Sequence, residues 1–269
     1  RYGWLKKVYD KIASNKKVEA GFFEAPERIS DFGVGKNMVK SMKYWAIYYD
    51  IIFKEKNSYS PTQFGKDILS DDVGFDPYIE NEATLWLLHW KAAQKQDFAS
   101  SLYFTFNEFS RPVFTKEELL SALIDYSLSS TGRAAKKETV KRDIDCLLAT
   151  YTYTAPDGKK IFEERILPPF AHLKLITHVA DTQQFQFNRT PKLSLPDEIL
   201  AACILEFVSK QTTKTITLNS LTYDVTSPGR IFKLDEDYLA KFLLKIENYT
   251  NGSLSWTESA SLSQIVINN

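Results

Sequence analysis

The chain has 269 residues, enough for a large core and one to three domains, and its 43% hydrophobic and 25% charged residues are ordinary for a globular protein. No run of about eighteen apolar residues occurs, so no membrane span is expected. The formal charge is zero, from 34 bases and 34 acids, which excludes a histone-like polycation. The charge is unevenly placed. Residues 1–66 hold 13 Lys/Arg against 7 Asp/Glu, residues 67–125 hold 4 against 11, residues 126–160 hold 7 against 4, and the remainder 10 against 12. Two basic segments therefore alternate with acidic ones, and basic patches favour polyanions by releasing condensed counterions.

In chain order, Tyr2 to Ala13 reads as an amphipathic helix with Trp4, Leu5, Val8, Tyr9 and Ile12 inward. The opening Arg1 in place of Met implies an upstream segment. Glu27 to Phe32 is a short helix that ends at Gly33-Val34-Gly35, two glycines able to supply the positive φ of a tight turn. From Lys36 onward Met38, Met42, Trp45, Tyr49 and Ile52 recur at steps of four and three, the stripe of a second, longer helix. Lys36, Lys40 and Lys43 share that spacing on another face, and no acid follows before Asp50. A short helix, a glycine turn and a helix with a basic leading half is the pattern of a helix-turn-helix. Ile51-Ile52-Phe53, a polar turn at Lys54 to Ser58, and Tyr59 to Thr62 predict a small β wing, with a further helix over Gln63 to Leu69. A solvated amphipathic helix pair is the plainer alternative.

Asp71 to Pro77 is acidic and turn-rich and reads as a linker. Asp71, Asp72 and Asp76 invite a metal reading, but the twelve-residue calcium-loop pattern is missing, and helix capping is the better account. Thr84 to Ala93 is apolar nearly all round, a buried helix, with His89 as a core histidine. Phe98 to Phe109 forms another aromatic helix. Thr115 with Glu118 is a capping box ahead of Leu119, Leu120, Leu123 and Ile124. After a polar loop over Ser127 to Ala135, Lys136 to Tyr151 is a helix with Val140, Ile144, Leu147 and Leu148 inward and Lys136, Lys137, Lys141 and Arg142 outward. This repeats the first unit's logic, and Pro156-Asp157-Gly158 signals a second wing. Short strands follow at Leu173 to Thr177 and Gln184 to Phe187. Next come a helix from Ser194 to Val208, a strand at Thr215 to Leu218, a turn at Ser227-Pro228-Gly229 and a helix over Asp235 to Tyr249. A terminal hairpin pairs Leu254-Ser255-Trp256 with Gln264 to Ile267. This third unit opens its last helix with Asp235-Glu236-Asp237, which suits packing or protein interaction rather than DNA. Cys146 and Cys203 lie in apolar patterns and read as buried free thiols, with a disulfide left open.

No catalytic constellation is legible. GxGxxG, GxxxxGK[ST], CxxC and HExxH are absent, and His89, His172 and His178 are not spaced as paired ligands. Asp143 and Asp145 lie two residues apart on one helix and face differently, so they read as ion-pair partners; Glu80 and Glu82 share that spacing.

Six segments, RYGWLKKVYDKI, FGVGKNMVKSMKYW, DPYIENEATLWLLHW, FTKEELL, TVKRDIDCLL and PGRIFKLDE, together resemble a bacterial family of long-uncharacterised proteins encoded beside DNA phosphorothioation genes. Its members include the DNA-nicking component of the single-stranded phosphorothioation system. The resemblance spans nearly the whole chain. It implies a cytoplasmic protein that works on double-stranded DNA with a cysteine desulfurase and an ATP-using sulfur-transfer enzyme in anti-phage defence, opening DNA for sulfur incorporation. It places Gly33, Gly35, Lys36, Asn37 and Lys40 at DNA and assigns no catalytic residue.

The fold expected is mainly α with small β wings, an α+β chain of tandem winged-helix or helix-turn-helix units. A DNA-binding winged helix occupies 1–70, a helical region with a second helix-turn-helix-like unit 71–165, and a C-terminal winged-helix-like domain 166–269. The DNA contacts expected are Gly33, Gly35, Lys36, Asn37, Lys40 and Lys43 in the first unit and Lys136, Lys137, Lys141 and Arg142 in the second. No cofactor is evident, though a nickase would call for Mg²⁺ or Mn²⁺. A noncatalytic adaptor that holds modification enzymes on DNA is the alternative function.

Overall fold

A computed structural model describes residues 3–96, 100–152, 168, 170–259 and 262–268. The chain is α+β, largely helical with three small antiparallel sheets, and it divides into two compact units, residues 1–98 and 99–269.

The first unit runs α1 (Trp4–Ala13), β1 (Val18–Glu19), a 3-10 turn (Ala20–Glu24), α2 (Glu27–Phe32), α3 (Lys36–Tyr48), β2 (Ile52–Glu55), β3 (Ser58–Pro61), α4 (Gln63–Leu69) and α5 (Glu82–Ala93). Leu5, Val8, Tyr9 and Ile12 of α1 are buried as their spacing predicts. On α3 the buried stripe is Val39, Met42, Ala46 and Tyr49, together with Tyr48. Met38 and Trp45, expected inward, are only half-buried, so the core face is turned by about one residue. The small Ala46 can approach its neighbours closely, and the periodicity of large side chains alone hides it. The Tyr48 hydroxyl donates to the Ala92 carbonyl of α5 at 2.9 Å, and Lys95 reaches the Ile47 carbonyl at 3.0 Å. Phe23 stacks on Phe32 and meets Tyr59 edge-on, which ties the 3-10 turn, α2 and β3 together. Gly65 of α4 crosses Ile51 so closely that a Cβ there would lie 2.3 Å from its carbonyl oxygen.

The loop into α5 is braced by Asp76, which is buried. Its carboxylate accepts the backbone N–H of Glu80 at 2.9 Å and of Asn81 at 3.1 Å, and the Thr84 hydroxyl at 2.5 Å. Asn81 caps α5 through the Ala83 amide. The helix is buried on nearly every side, with Trp86, His89 and Trp90 in the core.

The second unit holds α6 (Ser100–Asn107), β4 (Val113–Thr115), α7 (Lys116–Thr131), α8 (Lys137–Tyr151), β5 (Ile176–His178) and β6 (Gln184–Phe187). It continues with α9 (Asp197–Ser209), β7 (Thr215–Thr217), α10 (Leu218–Tyr223), α11 (Pro228–Phe232), α12 (Glu236–Leu243), α13 (Ile246–Thr250), β8 (Leu254–Ser259) and β9 (Leu262–Ile267). Phe106, Phe109, Phe114, Tyr151, Phe170 and Phe187 form one aromatic cluster at its centre. Thr115 and Glu118 make the capping box expected of them.

Each sheet has the same form. A short strand precedes two or more helices, a hairpin follows, and the hairpin's second strand sits in the middle: β1-β3-β2, β4-β6-β5 and β7-β9-β8. The terminal hairpin pairs Trp256 with Ile265 and Leu254 with Ile267. The expected second wing around Pro156-Asp157-Gly158 lies outside the described residues.

Several local expectations are corrected. The strand expected over Leu173 to Thr177 is a 3-10 turn at Ala171–Leu173 followed by β5. Ser227-Pro228-Gly229 is a helix start, because Ser227 accepts the Arg230 amide and the fixed φ of Pro228 suits a first helical turn. The helix expected over Asp235 to Tyr249 breaks at Leu244 and Lys245 into α12 and α13. α7 continues to Thr131 through the expected loop, where Ser127, Ser129, Ser130 and Thr131 bond back to carbonyls of their own helix. Cys203 is buried, but Cys146 is exposed beside the buried stripe of α8, and neither forms a disulfide.

Among the described residues of this unit two lysines are buried. Lys192 donates to the carbonyls of Asn188 at 2.6 Å and Thr190 at 2.7 Å, and its burial pushes its pKa down to about 8. Lys233 donates to the Phe106 carbonyl, near the C-terminus of α6, at 2.8 Å and lies 4.3 Å from the centre of the Phe187 ring. Burial, then Arg189 and Arg230, hold its pKa well below the ordinary lysine value.

Candidate nucleic-acid interface

The candidate surface of the first unit begins at the turn between α2 and α3. Gly33 ends α2 at φ 65°, the left-handed cap that glycine adopts without strain. Gly35 is extended at φ −64° and ψ 159°, so only the first of the two glycines is required by a positive φ. Gly35 stands at the N-cap of α3 and offers no side chain to the helix's first amides, and the first turn holds no acid. Helix starts usually carry a capping oxygen or a carboxylate that offsets the positive end of the dipole. Here the first two turns carry Lys36 and Lys40 instead, an arrangement that an external anion would stabilise.

Lys36, Asn37, Lys40, Ser41 and Tyr44 are exposed and recur at steps of one and three, so they line one face of α3. Ser41 donates to the Asn37 carbonyl at 3.1 Å. Lys43 does not join this strip. Its ammonium pairs with Glu24 at 2.7 Å and lies 5.7 Å and 5.8 Å from the Phe23 and Tyr59 ring centres, against the packed side of the helix. Past α3, the β2–β3 hairpin exposes Lys54 and Lys56 at its tip. Sequence reasoning missed Ser41, Tyr44, Lys54 and Lys56. Ser41 and Tyr44 continue the spacing of Asn37 and Lys40, a signal masked by the attention a lysine series draws.

In the second unit α8 exposes Lys136, Lys137, Lys141 and Arg142, joined by Arg133 from the preceding turn. Lys136 is the N-cap, again with no side-chain cap, while Glu138 lies in the first turn. The Arg142 Nε donates to the Glu138 carbonyl at 3.2 Å. Asp145 pairs with Lys116 of α7 at 2.6 Å, the structural role expected of it. The corresponding helix of the third sheet group, α12, opens on Asp235, Glu236 and Asp237.

The carboxylates considered for metal binding do not converge. Asp71 pairs with Lys6 at 2.8 Å, Asp145 with Lys116, and Asp76 is committed to its three donors. Among the described residues no three His, Cys, Asp or Glu side chains are placed to hold a metal ion. Among the described residues these carboxylates do not gather into a Mg²⁺ site, and no step through a metal is drawn from them. No described helix is long and apolar enough to cross a membrane.

A three-fold repeated helix-and-hairpin chain with basic helix faces is the class of protein these features define, and the comparisons place it in a family. The family described as protein of unknown function (DUF4007) matches residues 1–269, and the chain belongs to it. Two solved structures, "Magnesium ion-bound SspB crystal structure" and "SspB crystal structure", each match with a TM-score of 0.86 at 27% identity, covering 100% of this chain and 80% of theirs. The chain is thus SspB-like, in keeping with the resemblance its sequence carries. Comparison with the curated proteins gives no match.

Proposed function

We propose that this protein binds double-stranded DNA within a DNA phosphorothioation system and takes part in nicking DNA for sulfur incorporation, alongside a cysteine desulfurase and an ATP-using sulfur-transfer enzyme. In this reading each helix-and-hairpin group is a winged-helix unit, α3 and α8 are the DNA-facing helices, and the hairpin tips contact the backbone. The observation that carries it is the exposed strip Lys36, Asn37, Lys40 and Ser41 on an uncapped helix, in a chain similar to SspB over its full length. Lys36 and Lys40 would meet phosphates, Asn37 suits a base edge or phosphate, and Gly33 and Gly35 let the turn approach the duplex. Lys136, Lys137, Lys141 and Arg142 would extend the contact from the second unit. Lys43 is expected to support the helix from behind.

The adaptor reading is favoured by the commitment of Asp76, Asp71 and Asp145 to partners within the fold. One experiment separates the two. Supercoiled plasmid is incubated with the protein and Mg²⁺ or Mn²⁺ beside a chelated control, and the same DNA is used in gel shifts at low salt. Metal-dependent open circle supports nicking, whereas retarded but intact plasmid supports the adaptor. Unchanged binding by a Lys36→Glu/Lys40→Glu variant would remove α3 from the interface.

A further inference from the structure

Thirteen large hydrophobic side chains are exposed among the described residues, and three of them, Val73 at 63%, Phe75 at 59% and Tyr78 at 64%, fall within one six-residue loop between α4 and α5. Scattered exposed apolar residues are ordinary, but a cluster of this kind marks a contact surface. The loop is rigidly built. The amides of Gly74, Phe75 and Asp76 donate to the carbonyls of Ser70, Asp67 and Ile68 at 2.9, 3.0 and 3.1 Å. Asp76 then ties down Glu80, Asn81 and Thr84. A Cβ at Gly74 would lie 2.4 Å from the Ser70 carbonyl oxygen, so only glycine passes this point. Ile79, a β-branched residue, is held at φ 58° with its side chain buried, a conformation that persists only where the surroundings enforce it. Val73, Phe75 and Tyr78 are thus displayed on a preorganised frame, which lowers the entropy cost of docking.

The electrostatics select the kind of partner. Between residues 67 and 90 the charged side chains are Asp67, Asp71, Asp72, Asp76, Glu80 and Glu82, and there is no lysine or arginine. Of these only Asp76 is buried. Asp71 is exposed but pairs with the buried Lys6, which also lies 6.0 Å from the Tyr78 ring centre. Asp67, Asp72, Glu80 and Glu82 leave the exposed charge around the apolar cluster acidic. Nucleic acid and anionic lipid would both be repelled. We propose that this loop is a protein-docking knob, and that its occupant is an apolar cleft rimmed by lysine and arginine on one of the two sulfur-handling partners. This rests on the phosphorothioation reading and names the surface through which those enzymes are held, leaving α3 and α8 to DNA.

The test uses the full chain, with each purified enzyme, the cysteine desulfurase and the ATP-using sulfur-transfer enzyme, titrated by calorimetry at low and at moderate salt. One of them should bind. Binding should weaken at least tenfold in Phe75→Ala/Tyr78→Ala and in Asp72→Lys/Glu80→Lys, and with rising salt in the wild type. All the changed side chains are exposed, so thermal melts and the plasmid gel shift should match the wild type. Wild-type binding that both variants leave intact would overturn the knob while preserving the partner reading. No binding by the wild type to either enzyme would overturn both. A homodimer that dissociates in Phe75→Ala/Tyr78→Ala would assign the surface to a second copy and likewise overturn the proposal.

Discussion

Removing the carboxylate of Asp76 tests whether the loop between α4 and α5 is held by one side chain. In Asp76→Ala the amides of Glu80 and Asn81 and the hydroxyl of Thr84 all lose their acceptor. The two amides belong to exposed residues and can turn to water, so each should cost about 1 kcal/mol. Thr84 is fully buried, and an orphaned hydroxyl there should cost about 1.5–2 kcal/mol more. The sum is about 3.5–4 kcal/mol, a large share of a typical domain's stability. Asp76→Asn keeps one acceptor oxygen and should lose about half as much. Urea unfolding followed by tryptophan fluorescence reads the change, since Trp45, Trp86 and Trp90 lie in the same unit. Thr84→Val should be mild by itself and should shrink the effect of Asp76→Ala, because the orphaned hydroxyl is gone. A loss under about 1 kcal/mol in Asp76→Ala would refute the brace, as the loop would then be held by its backbone bonds alone.

Other outcomes follow from single residues. Neutral Lys36→Gln/Lys40→Gln should lower the salt-dependence slope of DNA binding by about 2 with stability unchanged within about 0.5 kcal/mol; an unaltered slope would place the phosphates elsewhere. Lys43→Ala should show the reverse, losing about 1 kcal/mol with its ion pair and ring contacts while the slope stays, as read by gel shifts and urea titration. Gly229→Ala should be among the most damaging substitutions, at about 3 kcal/mol or more. Its Cβ would fall 2.4 Å from Cα of Thr222, and normal expression with an unshifted melt would refute that packing. Lys233 carries a pKa below that of the unfolded chain, so the unfolded state binds the extra proton and wild-type stability should rise as pH climbs toward 10.5. In Lys233→Met that rise should be shallower by up to about 1.4 kcal/mol per pH unit, and equal slopes in thermal melts from pH 7 to pH 10 would count against a depressed lysine.

Part of this architecture is written locally. The capping box at Thr115, the turn at Gly33 and the basic leading half of α3 are each set by residues within one or two helical turns, so their chemistry is complete in the sequence. The terminal hairpin is similarly legible, since Leu254-Ser255-Trp256-Thr257 alternates and Ile265-Val266-Ile267 is a β-branched run. The short strands β1 and β4 were not, because two or three residues carry no periodicity and acquire strand character only by pairing with β3 and β6. The break between α12 and α13 and the helix at Pro228 were misread for the same reason: local propensity was satisfied either way, and packing decided.

For the candidate interface, the sequence by itself determined which helices are basic and how their lysines are spaced, because 3.6-residue periodicity maps position to face. It also determined that 67–90 is wholly acidic among its charged residues. Only the tertiary structure decided that Lys43 turns to Glu24 and two aromatic rings while Lys36 and Lys40 stay in water. A neighbour nineteen residues away in sequence cannot be read from a helical wheel. Nor could composition separate Asp76, buried among three donors, from Asp72, exposed beside an apolar cluster. Both are aspartates in one short loop, and their roles diverge because hydrogen-bond donors that approach in space, from the start of α5, reach only one of them.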